Sequence, residues 1–528
     1  MSFAVCQVCT MWSICLFFCA LPLALNAANI LVFWPMPSKS HFRGFEPLFT
    51  ELSRRGHNVT VVSAFPKANP PANYTDIPVG DVTQGGKAPP SRHRLIERDI
   101  FQLAHSAPAF SRNHAMSFVR SEPFQDFIRS DSYAFDLVVI ESFFQEYTVT
   151  LGHKFNAPVI SVSPTLLMPA VSKWMGLPST FSYVADIRVR STDRMSFAER
   201  LKTTYIGFVQ LYVDRLTYAP VQTDICNRYF RYKNWQSRPS VSSMLGNISV
   251  LLVNGHFSVA YPRPYLPNVV DVGGLHIDKP DVGRLPQSLK TFVESSEHGV
   301  IYFSLGTYLK PSEFPGDRLE VFVRVFGRLK QKILWYWPCD DKPPPDLPTN
   351  VVTDKWFPQC DILGHPNVKL FITHGGLHSV EESTYNAVPM VGIPFFADQF
   401  TNIKLVERKG YGKLVDFLTM TENSLHAAIT DVLTDQTYKQ NAALYSEIYK
   451  DGDMSPLDKA VYWVEYVLRH NGAHHLRSNS AKLNSIEYFL VDVIAVTCIL
   501  VILLYLILSK SITLITNVRF YLRKVTLK

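Results

Sequence analysis

The turn Thr373-His374-Gly375-Gly376 is a candidate ligand site, because it follows an apolar strand and opens a helix. Two glycines let backbone N–H groups approach a ligand closely, and the N-terminus of a helix carries partial positive charge. His374 adds a hydrogen-bond donor at the same end. The combination is suited to a diphosphate. It matches neither a Walker A loop nor a G-x-G-x-x-G turn, and alone it is a weak signal that more often belongs to an ordinary turn.

A second reactive group is the imidazole of His41, which follows Ser40 after the first predicted strand. A neutral imidazole can remove a proton from a hydroxyl group near neutral pH. A single histidine in a loop is more often a surface residue. His57 is rejected as the base, because it lies where the second predicted strand begins.

The elements around His41 follow a strand–helix alternation typical of a parallel sheet. The pattern predicts a strand at 29–34, an irregular loop at 35–43, a helix at 45–54 capped by Gly56, and a strand at 58–63. Further strands are predicted at 135–140 and 158–162, and the interval 165–235 is aromatic and helical in pattern.

The alternation restarts after a proline-rich linker at 255–290. Predicted strands lie at 299–304, 332–337, 351–355, 368–372 and 390–393, and predicted helices at 318–330 and 377–386. This order indicates a doubly wound nucleotide-binding domain, in which ligands bind beyond the carboxyl ends of the strands. The turn at 373–376 lies at such an end.

Composition limits the class of protein. A chain of 528 residues is too long for one core, so two α/β domains are expected. With 18% charged and 13% aromatic residues, it is not a disordered chain. A net charge of +7 without a dense basic stripe does not favour nucleic acid as a partner. The body cysteines fit neither a disulfide framework nor a zinc motif, and the sequence leaves open a single disulfide or free buried thiols; they are Cys226, Cys339 and Cys360.

Two apolar segments predict the cellular compartment and the membrane topology of the protein. Residues 11–25 followed by small residues indicate a secretory signal peptide, 1–27. Residues 488–508 carry one charge, Asp492, and are long enough to cross ~30 Å of hydrocarbon as a helix. The tail 509–528 is basic and should stay in the cytosol. The body would then be lumenal, in agreement with three glycosylation sequons, at Asn58, Asn73 and Asn247.

The run 356–399 (WFPQCDILGHPNVKLFITHGGLHSVEESTYNAVPMVGIPFFADQ) resembles the donor-binding signature of the UDP-glycosyltransferase family. The resemblance is strongest to its membrane-bound animal branch, the UDP-glucuronosyltransferases and their glucosyl-transferring relatives. It implies a GT-B fold, with two facing Rossmann-like domains, a cleft between them and one C-terminal transmembrane helix. After the signal, the implied segments are an acceptor-binding domain (28–270), a UDP-sugar-binding domain (271–450), bridging helices (451–487), the span (488–508) and the tail (509–528).

The resemblance also implies a donor site. An aromatic face can stack on uracil, an amide can bond its edge, and a carboxylate can accept from both ribose hydroxyls. The implied residues are Trp356 for stacking, Gln359 for the uracil edge, Glu382 for the ribose, Thr373, His374, Gly376 and Thr307 for the diphosphate, and Asp398 and Gln399 for the sugar. Two departures, His378 where the family often has Asn and Asn386-Ala387 where His-Gly is usual, leave the donor preference open.

The implied reaction is inverting transfer to a hydroxyl group. His41 would be the general base, and Glu141, at a position usually held by Asp, would orient it. The UDP-sugar is a co-substrate, and neither a cofactor nor a metal is expected. UDP-glucose is favoured over UDP-glucuronic acid, because loops 373–379 and 396–402 contain no Arg or Lys; Lys404 and Arg263 are the nearest candidates.

The sequence gives less direct information on the acceptor substrate, the cellular location and the oligomeric state. The aromatic interval 165–235 and the membrane span favour a small lipophilic alcohol or phenol. The resemblance implies the endoplasmic reticulum membrane and is compatible with a homo-oligomer. Two alternatives remain: a catalytically degenerate UDP-sugar-binding accessory protein, and a sugar-nucleotide epimerase or hydrolase of similar fold, which needs neither an apolar acceptor region nor an anchor.

Overall fold

The computed structural model of the protein describes residues 27–79, 96, 99, 101–102, 105–178, 180–339, 342–344 and 346–526. The chain divides into two compact units, one that ends at Arg477 and one that begins at Ser478. The predicted signal peptide, 1–27, lies outside the described residues except for its last position. In the described part, all four body and C-terminal cysteines are free thiols: Cys226, Cys339, Cys360 and Cys498.

The first sheet contains seven described strands, all parallel, in the order β3-β2-β1-β4-β5-β6-β7. The strands are β1 (Asn29–Trp34), β2 (Asn58–Ser63), β3 (Tyr74–Pro78), β4 (Leu137–Glu141), β5 (Val159–Ser163), β6 (Val250–Val253) and β7 (Val269–Asp271). Because β1 lies beside β4, the chain segments that follow these two strands emerge next to each other at the carboxyl edge.

The second sheet contains six described strands, also parallel, in the order β10-β9-β8-β11-β12-β13. The strands are β8 (Val300–Ser304), β9 (Lys332–Tyr336), β10 (Val351–Asp354), β11 (Val368–Thr373), β12 (Met390–Gly392) and β13 (Gly412–Leu414). Because β11 lies between β8 and β12, the loops after these three strands converge at one edge. The predicted strand–helix alternation in both halves is confirmed.

The α-helices connect these strands and continue beyond the second sheet. In chain order they are α1 (Lys39–Arg54), α2 (Ala107–Val119), α3 (Glu122–Arg129), α4 (Thr150–Phe155), α5 (Pro169–Trp174), α6 (Phe197–Phe208), α7 (Asp214–Tyr229), α8 (Val241–Leu245), α9 (Gln287–Glu294), α10 (Gly316–Gly327), α11 (Gln359–Leu363), α12 (Leu377–Tyr385), α13 (Gln399–Arg408), α14 (Glu422–Thr434), α15 (Gln436–Lys450), α16 (Pro456–Arg469), α17 (Ser485–Tyr488) and α18 (Val491–Thr526).

Each sheet is buried on both faces, as a parallel sheet flanked by helices must be. In β1, Ile30, Val32 and Trp34 belong to a core shared with α1 and α16. The alternate residues Leu31 and Phe33 belong to a second core, shared with α2 and α3. Helix α16 comes from the far end of the chain, so the polypeptide returns to the first sheet after completing the second.

The start of α1 differs from the prediction. The loop expected at 35–43 is short, because the helix already begins at Lys39 and places His41 in its first turn. Gly44 and Pro47 suggested a later start, since a proline inside a helix costs about 3 kcal/mol. Burial of three large side chains of this helix against the sheet offsets that cost; they are Phe42, Phe45 and Phe49.

The C-terminal helix is longer than the predicted span of 488–508. Helix α18 runs for 36 residues, and it is the one described helix whose length and apolar composition suit a membrane crossing. Tyr488 belongs instead to the separate helix α17. Leu490, which has a positive φ of 54°, separates helix α17 from helix α18. The helix continues through the basic tail, where residues 509–526 contain no Gly or Pro to end it.

Candidate active site

The carboxyl edge of the first sheet holds a hydrogen-bonded histidine–carboxylate pair. Nδ1 of His41 lies 2.7 Å from Oε1 of Glu141, which ends β4. The carboxylate is fully buried, whereas the imidazole keeps 18% of its surface exposed. The ring of Phe143 meets the imidazole edge-on, with centroids 4.9 Å apart. The histidine is therefore held in one orientation and is still partly open to solvent.

The carboxylate determines which nitrogen of His41 carries the proton. An ionised carboxylate can only accept, so Nδ1 donates and Nε2 is left as the basic atom. Burial raises the pKa of Glu141, while the hydrogen bond from His41 opposes that rise. In the described part of the chain, Oε2 of Glu141 is buried without a hydrogen-bond partner, so His41 provides its main stabilisation.

His41 faces the loops of the second half. A Cβ atom at Gly44, one turn along α1, would lie 2.6 Å from Nε2 of His378. Burial lowers the pKa of His378, and the charges of His276 and His41 lower it further. Burial raises the pKa of Asp398, while its hydrogen bond with Asn402 and the charge of His41 oppose the rise. The first turn of α1 thus lies against the second half.

The imidazole of His374 joins two glycine-containing loops. A Cβ atom at Gly306 or at Gly376 would lie 2.7 or 2.6 Å from its Nε2, so the ring fits only because both positions are glycine. Gly375 has a φ of +83°, a conformation that side chains disfavour. Burial lowers the pKa of His374 to about 4, so the ring is neutral. Its Nδ1 has no hydrogen-bond partner among the described residues.

The two threonines expected at the diphosphate occupy different environments. Thr373 is buried, and its hydroxyl accepts the N–H of Gly375 at 3.2 Å, so it shapes the turn. Thr307 lies exposed in the loop after β8, within the edge where the loops converge. Of the two, Thr307 is the one with a free approach to a ligand, while Thr373 supports the backbone that would contact it.

The residues expected at the uridine are linked to one another. Nε2 of Gln359 donates to Glu382 at 2.9 Å and to the hydroxyl of Ser379 at 3.3 Å. Burial raises the pKa of Glu382 to about 7, and the Gln359 bond opposes this rise. The Trp356 side chain is 53% exposed, and the guanidinium carbon of Arg43 lies 4.8 Å from its ring centroid. The two halves therefore meet at this tryptophan as well.

The pair expected at the transferred sugar begins α13, and both side chains are buried. Asp398 accepts a hydrogen bond of 2.8 Å from the Asn402 amide. Oε1 of Gln399 accepts the backbone N–H groups of Phe395 and Phe396, at 2.9 and 3.2 Å. The amide oxygen of Gln399 is thus used to hold the loop, and its NH₂ group is the part available to a sugar hydroxyl.

Sequence reasoning missed three charged or ligating groups that the fold brings to this region. Arg43 follows His41 by two residues, and its position becomes apparent only once α1 is known to begin at Lys39. His276 and Glu381 come close to His378 although the linker and α12 are distant in sequence. A search for cations or imidazoles along the predicted loop 35–43 and the linker would have found Arg43 and His276, but not their proximity to the second-half loops.

Comparison with known proteins identifies the family. Residues 102–526 match the model of the family described as "UDP-glucoronosyl and UDP-glucosyl transferase". UDP-glycosyltransferase UGT4 of Dactylopius coccus is 36% identical over 93% of this chain and 95% of its own length. UDP-glucuronosyltransferase 1-2 of Rattus norvegicus is 32% identical over 94% and 92%, and 2-hydroxyacylsphingosine 1-beta-galactosyltransferase of the same species is 30% identical over 92% and 88%.

Solved structures support the fold. The glycosyltransferase of kitacinnamycin and the calicheamicin glycosyltransferase CalG4 each superpose with a TM-score of 0.55 at 17% identity. They cover 83% and 84% of this chain and 99% of their own lengths. At that identity the likeness shows the fold alone, and it confirms the predicted GT-B architecture. Together with the family match, it shows that this chain belongs to the UDP-glucuronosyl and UDP-glucosyl transferase family and is a UDP-glycosyltransferase.

Proposed function

We propose that this UDP-glycosyltransferase is an inverting enzyme in which His41 is the general base. The observation that carries the proposal is the 2.7 Å bond between His41 and the buried Glu141 at the edge facing the second half. Nε2 of His41 takes the proton of an acceptor hydroxyl as its oxygen attacks the anomeric carbon. The bond from that carbon to the phosphate oxygen breaks, UDP leaves with the electron pair, and an α-linked sugar becomes a β-glycoside.

The departing UDP gains negative charge, which the second half is suited to stabilise. The loop after β11 presents backbone N–H groups at the N-terminus of α12, where the helix dipole favours an anion. Neutral His374 offers a donor from a water-poor site, and exposed Thr307 supplies a hydroxyl. These groups act on the leaving group, so the proposed reaction requires no metal.

We expect a lipophilic acceptor, because helix α6 exposes large apolar side chains. Phe197, Leu201 and Phe208 are 73%, 60% and 53% exposed. The proposal is tested by measuring turnover of a panel of phenols and sterols with each UDP-sugar, and by determining the anomeric configuration of the product. An α-glycoside, or hydrolysis of the UDP-sugar without transfer to any acceptor, would contradict it.

The donor should be UDP-glucose rather than UDP-glucuronic acid. Buried Asp398 would repel a glucuronate carboxylate, and a carboxylate without a paired cation is costly to desolvate. The guanidinium carbon of Arg263 lies 4.9 Å from the Tyr261 ring centroid, so this cation packs against an aromatic face. We therefore expect a higher kcat/KM for UDP-glucose with one phenolic acceptor.

The competing cation is Arg43, which the structure places over Trp356. A preference of tenfold or more for UDP-glucuronic acid, equivalent to about 1.4 kcal/mol in the transition state, would mean that a cation does face carbon 6 of the sugar. Arg43→Ala and Arg263→Ala would then be compared, and loss of the preference in one of them would identify the cation.

We also propose that α18 is a single span, with the catalytic body in the lumen of the endoplasmic reticulum. All three sequon asparagines, Asn58, Asn73 and Asn247, are exposed, although the Asn58 amide donates to Asn29. In sealed microsomes a protease should remove only the basic tail, on the order of 2 kDa, and a glycosidase should shift the mobility of the protected body. Digestion of the body in intact vesicles would reverse the topology.

A further inference from the structure

Three potential metal ligands lie close together beside the expected diphosphate turn. His378 and Glu381 lie three residues apart on α12, so they project from the same face of the helix. His276 follows β7 in the linker, and its ring centroid is 4.2 Å from that of His378. One nitrogen from each histidine and one oxygen of Glu381 all lie within 4.8 Å of one another.

The ligand atoms of this cluster are buried and make no hydrogen bond of ordinary geometry with the described residues. In the described part of the chain, both carboxylate oxygens of Glu381, both ring nitrogens of His276 and Nε2 of His378 are buried without a hydrogen bond of ordinary geometry. The Asn254 amide comes close enough to oppose the rise that burial causes in the pKa of Glu381. A buried carboxylate without a strong partner is costly, so the arrangement calls for a positive charge.

The surroundings of His276 resemble the support that metal-bound histidines receive. Its Nδ1 faces Glu381 at 3.9 Å, and its Nε2 faces Glu382 at 3.6 Å. A metal-ligating histidine normally turns its second nitrogen toward a carboxylate, which fixes the tautomer and the ring orientation. Glu382 is itself held by the 2.9 Å bond from Gln359, so the supporting carboxylate is fixed.

Two glycines leave room for the ligand side chains. A Cβ atom at Gly273 would lie 2.7 Å from Oε1 of Glu381, and one at Gly44 would lie 2.6 Å from Nε2 of His378. The cluster thus lies where α1, the linker and α12 meet.

We propose that Nδ1 of His276, Nε2 of His378 and the carboxylate of Glu381 bind a zinc ion. Two imidazole nitrogens and one carboxylate are a common zinc set, and they leave a fourth position for a water molecule. Bonds of about 2.0–2.1 Å would bring the ligand atoms to within about 3.3 Å of one another, so small side-chain rotations suffice. The site goes beyond the proposed transfer, in which His41 moves the proton and no metal takes part.

The test is a titration of the full-length, detergent-solubilised protein with Zn²⁺ in competition with a chromophoric chelator and without any nucleotide. We expect one equivalent of tightly held zinc in the unmodified protein. His378→Asn and Glu381→Gln should each weaken binding by about 100-fold or more, since loss of a supporting contact alone costs 10–100-fold. The control is the double variant His474→Gln/His475→Gln, which removes exposed histidines and should bind zinc normally.

A structural defect is separated from loss of a ligand by two further measurements. Glu381→Asp keeps a carboxylate and should retain more zinc affinity than Glu381→Gln. Zinc should raise the melting temperature of the unmodified protein and of the control, but not that of His378→Asn. Equal zinc affinity in the unmodified protein and both ligand variants, or no tightly bound zinc in the unmodified protein, would overturn the proposal.

Discussion

Replacing His41 by alanine should lower turnover by about 10²–10⁴-fold, the usual contribution of a general base, and leave UDP affinity nearly unchanged. His41 belongs to α1 of the first half, whereas the groups assigned to UDP lie in the second. Loss of the imidazole removes the proton acceptor without removing a donor contact. The two quantities to measure are kcat with saturating UDP-sugar and the Kd of UDP by calorimetry.

A matched control is His298→Ala, because His298 is exposed and lies outside the cleft loops. It should behave as the unmodified enzyme in both measurements. Equal turnover in His41→Ala and the unmodified enzyme would remove His41 from the mechanism. A large loss of UDP affinity would instead assign His41 to the donor site, where its charge already opposes the rise in the pKa of Asp398.

The central strands could be predicted from the sequence because their signal is local. The first two strands have the predicted bounds, 29–34 and 58–63, since strands buried on both faces read as nearly continuous apolar runs. Strands β7 and β13 contain three residues each, which is too short to show a period. Strand β3 also gives a weak signal in the sequence, because it lies at the sheet edge, contains polar residues and ends in proline.

The first turn of α1 could not be predicted because tertiary packing overrode local preference. Gly44 and Pro47 both argue against a helix at that point. The helix forms because its aromatic face is buried, and Gly44 is required where His378 approaches. Because the sequence predicts a loop at residues 35–43, the role of Arg43 is also missed. The direction of its side chain depends on the helix starting at Lys39.

In the candidate site, too, contiguous motifs could be predicted from the sequence, whereas contacts between distant segments could not. The turn at 373–376 is contiguous, so its chemistry is visible in the sequence. The contact of His41 with Glu141 joins segments a hundred residues apart, and only the family resemblance indicated it. The group formed by His276, His378 and Glu381 matches no contiguous motif, and nothing in the spacing of the three residues predicts it.

Replacing Glu141 by glutamine should also lower turnover by about 10²–10⁴-fold, although glutamine has nearly the same shape. The carboxylate accepts from Nδ1 of His41 and so keeps Nε2 basic. An amide NH₂ group can donate to Nδ1, which stabilises the opposite tautomer and places the proton on Nε2. That nitrogen can then no longer accept the proton of the acceptor hydroxyl. Glu141 is thus a positioning residue, which acts through His41.

A double-mutant cycle and a conservative variant distinguish the positioning role of Glu141 from a purely structural role in the sheet. With His41 already replaced by alanine, Glu141→Gln should cost little further turnover, because residues that act as a unit are strongly non-additive. Glu141→Asp keeps the acceptor and should recover much of the activity, with the pH profile of the unmodified enzyme. If the two losses multiply in the double variant, or if Asp is as inactive as Gln while the protein remains folded, Glu141 supports the sheet rather than the base.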